Sequence, residues 1–387
     1  MIVEPKFRGF ICTTAHPSGC RENVKRQIDY VENKDSLNEI KNVLVIGAGA
    51  GYGLATSIVS GIACKANVLG LSFERESTEK RTGSAGFYNT KAVKEFFKER
   101  DLKYINMNGD AFSNEAKSEV IEKIKLDMGT IDLIVYSLAA PKRKMPGTDE
   151  VVNSYLKTTG EPLKSKTVDF HTGKITEVTI EPATQEEIDG TIKVMGGEDW
   201  LLWIQALKAE NLLSDGVRTI AYSYIGPDVT EPIYREGTIG RAKKHLEATV
   251  SKIDDLLKDI NGKSYVSVNK ALVTQASSAI PIVSLYVSLL YKVMKKKGTH
   301  EGCIEQIYRM FSQLYGNEEL NLDSEGRIRL DNFEMEEDIQ EKIKDIWPLL
   351  NSETVFELTD VEGFRDEFFK LFGFGFANID YKKDVEI

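Results

Sequence analysis

Val43-Leu44-Val45-Ile46-Gly47-Ala48-Gly49-Ala50-Gly51-Tyr52-Gly53-Leu54-Ala55-Thr56-Ser57-Ile58 is the stretch on which the fold turns. A short β-branched and apolar run leads directly into alternating glycines and then into residues suited to a helix, which reads as strand, glycine loop, helix. Glycines let the backbone turn tightly and approach a ligand. The free N–H groups and positive end of the following helix then hold an anion such as a pyrophosphate. A Gly-x-Gly-x-x-Gly pattern starting at Gly47 fails because Tyr52 occupies the third glycine position, whereas Gly47, Gly51 and Gly53 fit Gly-x-x-x-Gly-x-Gly. The placement between strand and helix points to a dinucleotide, cradled by Gly47, Ala48, Gly49, Ala50, Gly51 and Tyr52. The alternative is a glycine-rich turn required only for packing.

Outward from this loop, short apolar runs at Val43–Ile46, Val68–Phe73, Tyr104–Met107 and Ile131–Tyr136 alternate with helical spacing at Thr90–Arg100 and Asn114–Asp127. Strand and helix in turn imply an α/β fold: a Rossmann-like, doubly wound parallel sheet with right-handed crossovers. The rhythm resumes at Arg218–Tyr224 and Tyr265–Val273 after a long interruption. Within the interruption, Val168, Phe170, Ile175, Val178 and Ile180 flank His171-Thr172-Gly173-Lys174, the pattern of a hairpin with a glycine-containing turn. Glu186–Leu213 has the length and spacing of a helix. We therefore expect one enlarged domain over residues 1–387, a substrate-covering flap inserted at 141–182, and a C-terminal extension at 300–387 packed on the main domain.

Successive strand ends offer further cofactor contacts. Phe73-Glu74 closes the second run about 20 residues beyond the loop, where a carboxylate accepts both adenosine ribose hydroxyls and repels a 2′-phosphate. This favours NADH over NADPH, although Arg75 could swing toward a phosphate. Asp110-Ala111 after the third run could frame the adenine, and Ser137-Leu138-Ala139 after the fourth could line a ribose.

Fifty Lys and Arg against sixty Asp and Glu give a formal charge of −10, unsuited to general attraction for nucleic acid or anionic lipid. Four cysteines with no Cys-x-x-Cys pair, and charged residues where a secretory signal needs an apolar run, suit a reducing cytoplasm. The 21 uncharged residues between Lys270 and Lys292 include Pro281 and several Ser, Thr and Gln, so we expect a buried strand and helix there and no membrane span. Cys12, His16 and Cys20 would share a helical face, but Pro17 and Gly19 argue against a helix and no fourth ligand is evident, so no metal is expected. Lys142-Arg143-Lys144, with Lys164 and Lys166, could meet the phosphates of a ligand or form an ordinary solvated loop.

Reduction by NADH needs an acceptor carbon near the nicotinamide and a group that stabilises and protonates the anion formed, and a tyrosine beside a lysine serves this well. Tyr222, Tyr224, Tyr234, Lys243 and Lys244 are the candidates. Tyr234 and Lys243 are nine positions apart; at about 100° per residue, one helix would put them on opposite faces. Tyr234 must then precede the helix, with Gly237 and Gly240 supplying the break, Thr238 a possible cap and Lys243 in an early turn.

Tyr234-x8-Lys243, the Gly47–Gly53 loop, the opening Cys12-Thr13-Thr14-Ala15-His16-Pro17-Ser18-Gly19-Cys20 and the stretch Val268–Pro281 together resemble the NADH-dependent trans-2-enoyl-CoA reductases, a group related to the long single-chain bacterial enoyl-acyl-carrier-protein reductases. The loop spacing is that of short-chain dehydrogenases, but the long Tyr-to-Lys spacing separates the chain from ordinary members, whose Tyr-x3-Lys shares one helical face. The resemblance implies that Tyr234 donates the proton, Lys243 contacts the cofactor, Tyr224 binds substrate near the thioester carbonyl, Leu272, Val273 and Thr274 touch the nicotinamide side, and Glu74 selects NADH. It implies an acyl-CoA substrate such as crotonyl-CoA. Tyrosine hydroxyls would bind the enolate oxygen more strongly than the ground-state carbonyl. Acyl carrier protein in place of coenzyme A, a ketone-reducing dehydrogenase and a non-catalytic dinucleotide sensor are the competing readings. We expect a cytoplasmic monomer.

Overall fold

The computed structural model describes residues 1–8, 11–275 and 277–387; Ala276, within the Val268–Pro281 stretch quoted above, lies outside them. Seven parallel strands form the central sheet: β1 (Asn42–Ile46), β2 (Asn67–Ser72), β3 (Tyr104–Asn108), β4 (Ile131–Tyr136), β5 (Leu213–Ser223), β6 (Lys263–Val268) and β7 (Ile328–Arg329). Their spatial order is 3-2-1-4-5-6-7. The chain winds outward from β1 to β3, returns to place β4 beside β1, and continues the other way. Val43 lies opposite Leu133 and Ile46 opposite Tyr136, so the switch point falls at the carboxyl ends of β1 and β4, where open sheets bind ligands. The fold is Rossmann-like, as expected.

Alternation along β1 shows how the sheet is covered. Val43 and Val45 face a layer of α1 (Pro17–Glu32), α2 (Gly51–Ile62) and α3 (Ala85–Lys98), while Leu44 and Ile46 face the opposite layer with α4 (Asn114–Asp127). After α5 (Gln185–Met195), that opposite layer is completed by α6 (Glu198–Ala209), which contributes Trp200 and Trp203, and α7 (Thr238–Leu257), which contributes Leu246 and Ile253. A strand apolar on both sides is stable only when sandwiched in this way.

A third core lies beyond the carboxyl ends of the strands. It gathers Phe170 and Ile180 from a hairpin, Leu272 and Val273 after β6, α8 (Val283–Lys297), and Phe364 and Phe368 near the C-terminus. The hairpin pairs Leu163–Asp169 with Lys174–Ile180 and is longer than the sequence pattern indicates. Its outer end is fastened to the C-terminal segment: Lys166 Nζ donates to the carbonyls of Pro348 and Leu350 at 2.9 and 2.8 Å, and Ile175 N–H donates to Ser352 Oγ at 2.9 Å. The uncharged run after Lys270 becomes a loop and then α8, buried within protein. Among the described residues no helix is long and apolar enough to cross a membrane.

Four local expectations change. Glu186–Leu213 is two helices, because Gly196-Gly197 separates α5 from α6 and lets the backbone press against Thr249, whose Oγ1 would lie 2.2 Å from a Cβ on Gly197. Pro17 and Gly19 do not prevent a helix. Pro17 takes its first position, where a missing N–H costs nothing, and His16 Nδ1 caps the end by accepting the Gly19 N–H at 3.2 Å. The strand beginning near Tyr265 stops at Val268 instead of Val273, because side chains take over the next N–H groups: Lys270 N–H donates to Gln306 Oε1 and Ala271 N–H to Glu334 Oε2. Finally, Thr238 is not the cap of α7. Gly237 holds that position, and the Thr238 hydroxyl donates to the Tyr155 carbonyl.

Candidate active site

The glycine loop lies at the switch point, with the N–H groups of Gly47 and Ala48 donating to the Leu71 carbonyl at 2.8 and 3.0 Å. Gly47 has φ +93°, and a Cβ there would stand 2.1 Å from the Ser137 carbonyl; a Cβ on Gly53 would stand 2.0 Å from the Gly47 carbonyl. Only hydrogen fits at either place, and the result is a close-walled cradle opening at the N-terminus of α2. Tyr52 contributes backbone alone. Its ring turns inward against Tyr222, 5.6 Å between centroids, and its hydroxyl donates to the Lys270 carbonyl at 3.0 Å.

Glu74 lies against this cradle: Cβ atoms added to Gly49 and Gly86 would each fall within about 2 Å of its Oε1 (2.2 and 2.0 Å). Ser84 Oγ donates to Oε2. Burial pushes the Glu74 carboxyl above its ordinary range, against the opposing pull of Ser84 and Arg75. Phe73 beside it is 78% exposed, an apolar face at the end of β2 where an adenine would lie. Asp110 Oδ1 accepts the Phe112 N–H at 3.0 Å, and the Ala111 carbonyl is taken by Lys117 and Trp203. Leu138 and Ala139 follow β4 directly and are partly or wholly open. On the far side of the cradle, Thr274 Cγ2 would lie 3.9 Å from a Cβ on Gly51, which brings the Leu272–Thr274 stretch over the start of α2. The residues present therefore fit a dinucleotide.

Tyr234 sits in a turn before α7, its N–H donating to the Thr230 carbonyl at 2.9 Å, and Lys243 sits in the second turn of that helix. A Cβ on Gly240 would lie 1.9 Å from the Arg235 carbonyl, so the turn folds back on the helix start. Tyr234 thus lies ahead of the helix, as the long spacing requires, and not on its opposite face. Tyr234 meets Tyr224 edge to face, with centroids 4.6 Å apart at 89°. Burial raises the Tyr234 phenol well above its usual pKa, keeping its proton in place at neutral pH. Burial also lowers Lys243 to about 8; its Nζ donates to the Tyr222 carbonyl at 2.9 Å. Lys244 instead faces solvent and pairs with Glu236 at 2.9 Å.

Three residues escaped the sequence reading. Glu334, fully buried, accepts from Tyr224 at 3.0 Å and from Tyr286 at 2.6 Å. Lys270, also buried, is lowered to about 8 chiefly by desolvation, and its Nζ donates to the Ala271 carbonyl at 3.0 Å. Spacing alone gives no signal for Glu334, which lies more than a hundred residues beyond Tyr224. The basic run Lys142-Arg143-Lys144 is divided: Arg143 is buried and donates to Glu198 and to the Lys193 carbonyl, both at 2.7 Å, while Lys144 pairs with Asp149 at 2.9 Å. With Lys166 also fastened to the C-terminal segment, Arg143, Lys144 and Lys166 are all engaged within the protein, which weighs against the phosphate-binding alternative for this basic run. Among the described residues no group of three or more His, Cys, Asp or Glu side chains could hold a metal.

Comparison with known proteins agrees with this geometry. Residues 81–315 match the family profile described as the trans-2-enoyl-CoA reductase catalytic region, and residues 2–79 match the NAD(P)H binding domain of trans-2-enoyl-CoA reductase. A Clostridium perfringens trans-2-enoyl-CoA reductase [NADH] is 66% identical across 100% of this chain and 99% of its own length. A Flavobacterium johnsoniae enoyl-[acyl-carrier-protein] reductase [NADH] is 54% identical across 100% and 98%. The crystal structure of a Clostridium trans-2-enoyl-CoA reductase in complex with NADH superposes with a TM-score of 0.97 at 46% identity, covering 100% of this chain and 98% of the other.

A third profile, described as an enoyl reductase FAD binding domain, matches residues 322–385. The residues there do not fit a flavin. Among those described, the segment has no strand–glycine loop–helix unit. Phe364, Phe368, Phe372, Phe374 and Phe376 are taken up by packing, with Phe368 5.3 Å from Phe372 and 4.8 Å from Phe170. What the segment supplies to the cleft is Glu334. The two profile matches and the full-length relatives show that this chain belongs to the trans-2-enoyl-CoA reductase family.

Proposed function

We propose that the chain reduces the carbon–carbon double bond of short trans-2-enoyl-CoA thioesters such as crotonyl-CoA, using NADH, in fatty acid or butyrate metabolism. What supports this reading is the edge-to-face contact of Tyr234 with Tyr224 just past β5, in the turn that leads into the helix carrying Lys243. NADH bound along the Gly47–Tyr52 cradle supplies the hydride that the substrate β-carbon accepts. Glu74 holds the adenosine ribose, Phe73, Asp110 and Ala111 frame the adenine, and Leu138, Ala139 and Leu272–Thr274 flank the nicotinamide half. The Lys243 ammonium, still largely protonated at neutral pH, steadies the nicotinamide ribose and favours negative charge in its neighbourhood. Tyr224 lines the thioester end of the cleft.

As negative charge gathers on the thioester oxygen, Tyr234 supplies the proton that the α-carbon gains, giving the saturated acyl thioester. A phenol held protonated by its surroundings is suited to donate once an anion forms beside it. The hairpin at 163–180 covers the substrate, and the enzyme works as a cytoplasmic monomer. The likeness to enoyl-acyl-carrier-protein reductases favours a second reading in which the acyl chain arrives on a protein. Turnover of crotonyl-CoA and of crotonyl-acyl carrier protein, followed by NADH oxidation, separates the two. We expect the coenzyme A thioester to be the better substrate, and a strong preference for the protein-borne one would overturn this choice.

A further inference from the structure

We propose that Glu334 is a positioning residue for the reduction: it takes the single hydroxyl proton of Tyr224, fixing that ring in the cleft and leaving Tyr234 as the proton donor. The inference rests on the reading above, in which Tyr224 and Tyr234 face the substrate. Three donors from separate elements converge on this one carboxylate. Oε1 accepts from Tyr224, just past β5, at 3.0 Å and from Tyr286 of α8 at 2.6 Å; Oε2 accepts the Ala271 N–H, just past β6, at 2.7 Å. A carboxylate has about four acceptor positions, so three donors nearly fill it and leave the Tyr224 hydroxyl little freedom to rotate. Gln340 closes the outer side, its Nε2 donating to the Glu334 carbonyl at 2.6 Å and thereby holding the backbone of the acid as well.

The electrostatic setting suits a fixed anchor. Burial pushes the Glu334 carboxyl upward, and Asp331 adds to this, whereas Lys270 and the hydrogen bonds from Tyr286 and Ala271 pull the other way. A tyrosine has one proton to donate, and that of Tyr224 is committed to Glu334. Among the described residues, by contrast, no hydrogen-bond partner engages the hydroxyl of Tyr234, whose ring meets that of Tyr224 edge to face. The same carboxyl also holds the N–H that begins the Ala271–Thr274 stretch. Glu334 therefore links the tyrosine on the substrate side with the segment flanking the nicotinamide, and a displacement of about 1 Å in such a pairing is enough to slow a reaction about 100-fold.

The test is a double-mutant cycle in the full chain, with crotonyl-CoA and NADH. Glu334→Gln nearly preserves shape but turns an amide N–H toward the converging donors. It should lower kcat by about tenfold or more, while the NADH dissociation constant stays within about twofold and the melting temperature within a few degrees. In a Tyr224→Phe background the same change should cost less than about threefold, because the Tyr224 hydroxyl is no longer there to be held and only Tyr286 and the Ala271 N–H still depend on the acid. An unchanged kcat in Glu334→Gln overturns the proposal, as does a tenfold loss that persists undiminished in Tyr224→Phe. If Glu334→Gln does not fold, Glu334→Asp, which retracts the oxygens and keeps the charge, is run through the same cycle with the same expectations. Failure of the unsubstituted protein to oxidise NADH with crotonyl-CoA would instead sink the functional reading itself.

Discussion

The two walls of the cleft are built on different plans. The cofactor wall comes from nearly contiguous chain, Val43 to Glu74, with the cradle backbone pinned by contacts to Leu71, Ser137 and Asn89. The wall proposed for the substrate draws Tyr224, Tyr234, Tyr286 and Glu334 from four separate segments, joined by side-chain hydrogen bonds and ring contacts. A wall made of backbone is damaged by adding atoms. A wall made of side chains is damaged by removing them, and its members act as a group.

The largest expected effect breaks the substrate wall at its donor. Tyr234→Phe should lower kcat for crotonyl-CoA by about 10²- to 10⁴-fold, while NADH affinity, followed by fluorescence titration, stays within about twofold. A variant retaining more than a tenth of the activity would remove Tyr234 from the chemistry. Next comes an added atom in the cofactor wall. Gly53→Ala forces a Cβ to within 2.0 Å of the Gly47 carbonyl and should cost about 1–3 kcal/mol of stability in denaturant titration, with NADH affinity falling in parallel.

Glu74→Ala sharpens the comparison within the cofactor wall, since it removes a side chain that works alone. It should narrow the preference for NADH over NADPH, read as a ratio of kcat/KM values, by about tenfold or more. The pH profile probes the junction of the walls at Lys243. Its cationic form predominates below about 8 and gives way to the neutral amine above it, so kcat/KM for NADH should fall as pH rises through that value. The stability effect runs the other way. A lysine depressed in the folded state binds fewer protons than in the unfolded one between about 8 and its ordinary pKa near 10.4, so its burial penalty fades as pH climbs through that window. The smallest effect is expected of Lys166→Ala, which frees the hairpin from the Pro348 and Leu350 carbonyls. It should raise KM for crotonyl-CoA less than about threefold and cost about 1 kcal/mol in stability.

The same contrast explains what could be read from sequence. The cradle and the alternation of strands were legible because each depends on neighbours a few positions apart. Tyr234 before the helix was legible because a nine-residue step cannot close on one helical face, and Gly237 marked the break; Gly240, expected to share that role, lies within α7 instead. Glu334 was not legible, because its partners belong to β5, α8 and the chain after β6, and no periodicity spans such distances. Arg143 looked solvated within a basic run, but three-dimensional packing gave it Glu198 and a buried place. Pro17 misled because a residue that breaks a helix interior is well placed at its first turn.

The two-residue strand β7 pairs along β6, with Ser267 opposite Ile328 and Val268 opposite Arg329. Short as it is, it caps the border of the sheet. A truncated form ending before Ile328 would leave the last rungs of Lys263–Val268 bare, a β-branched border open to another copy of itself. Such a fragment should therefore be prone to aggregate as well as to lose activity, and the C-terminal segment guards the solubility of a domain whose principal ligand it is not expected to touch.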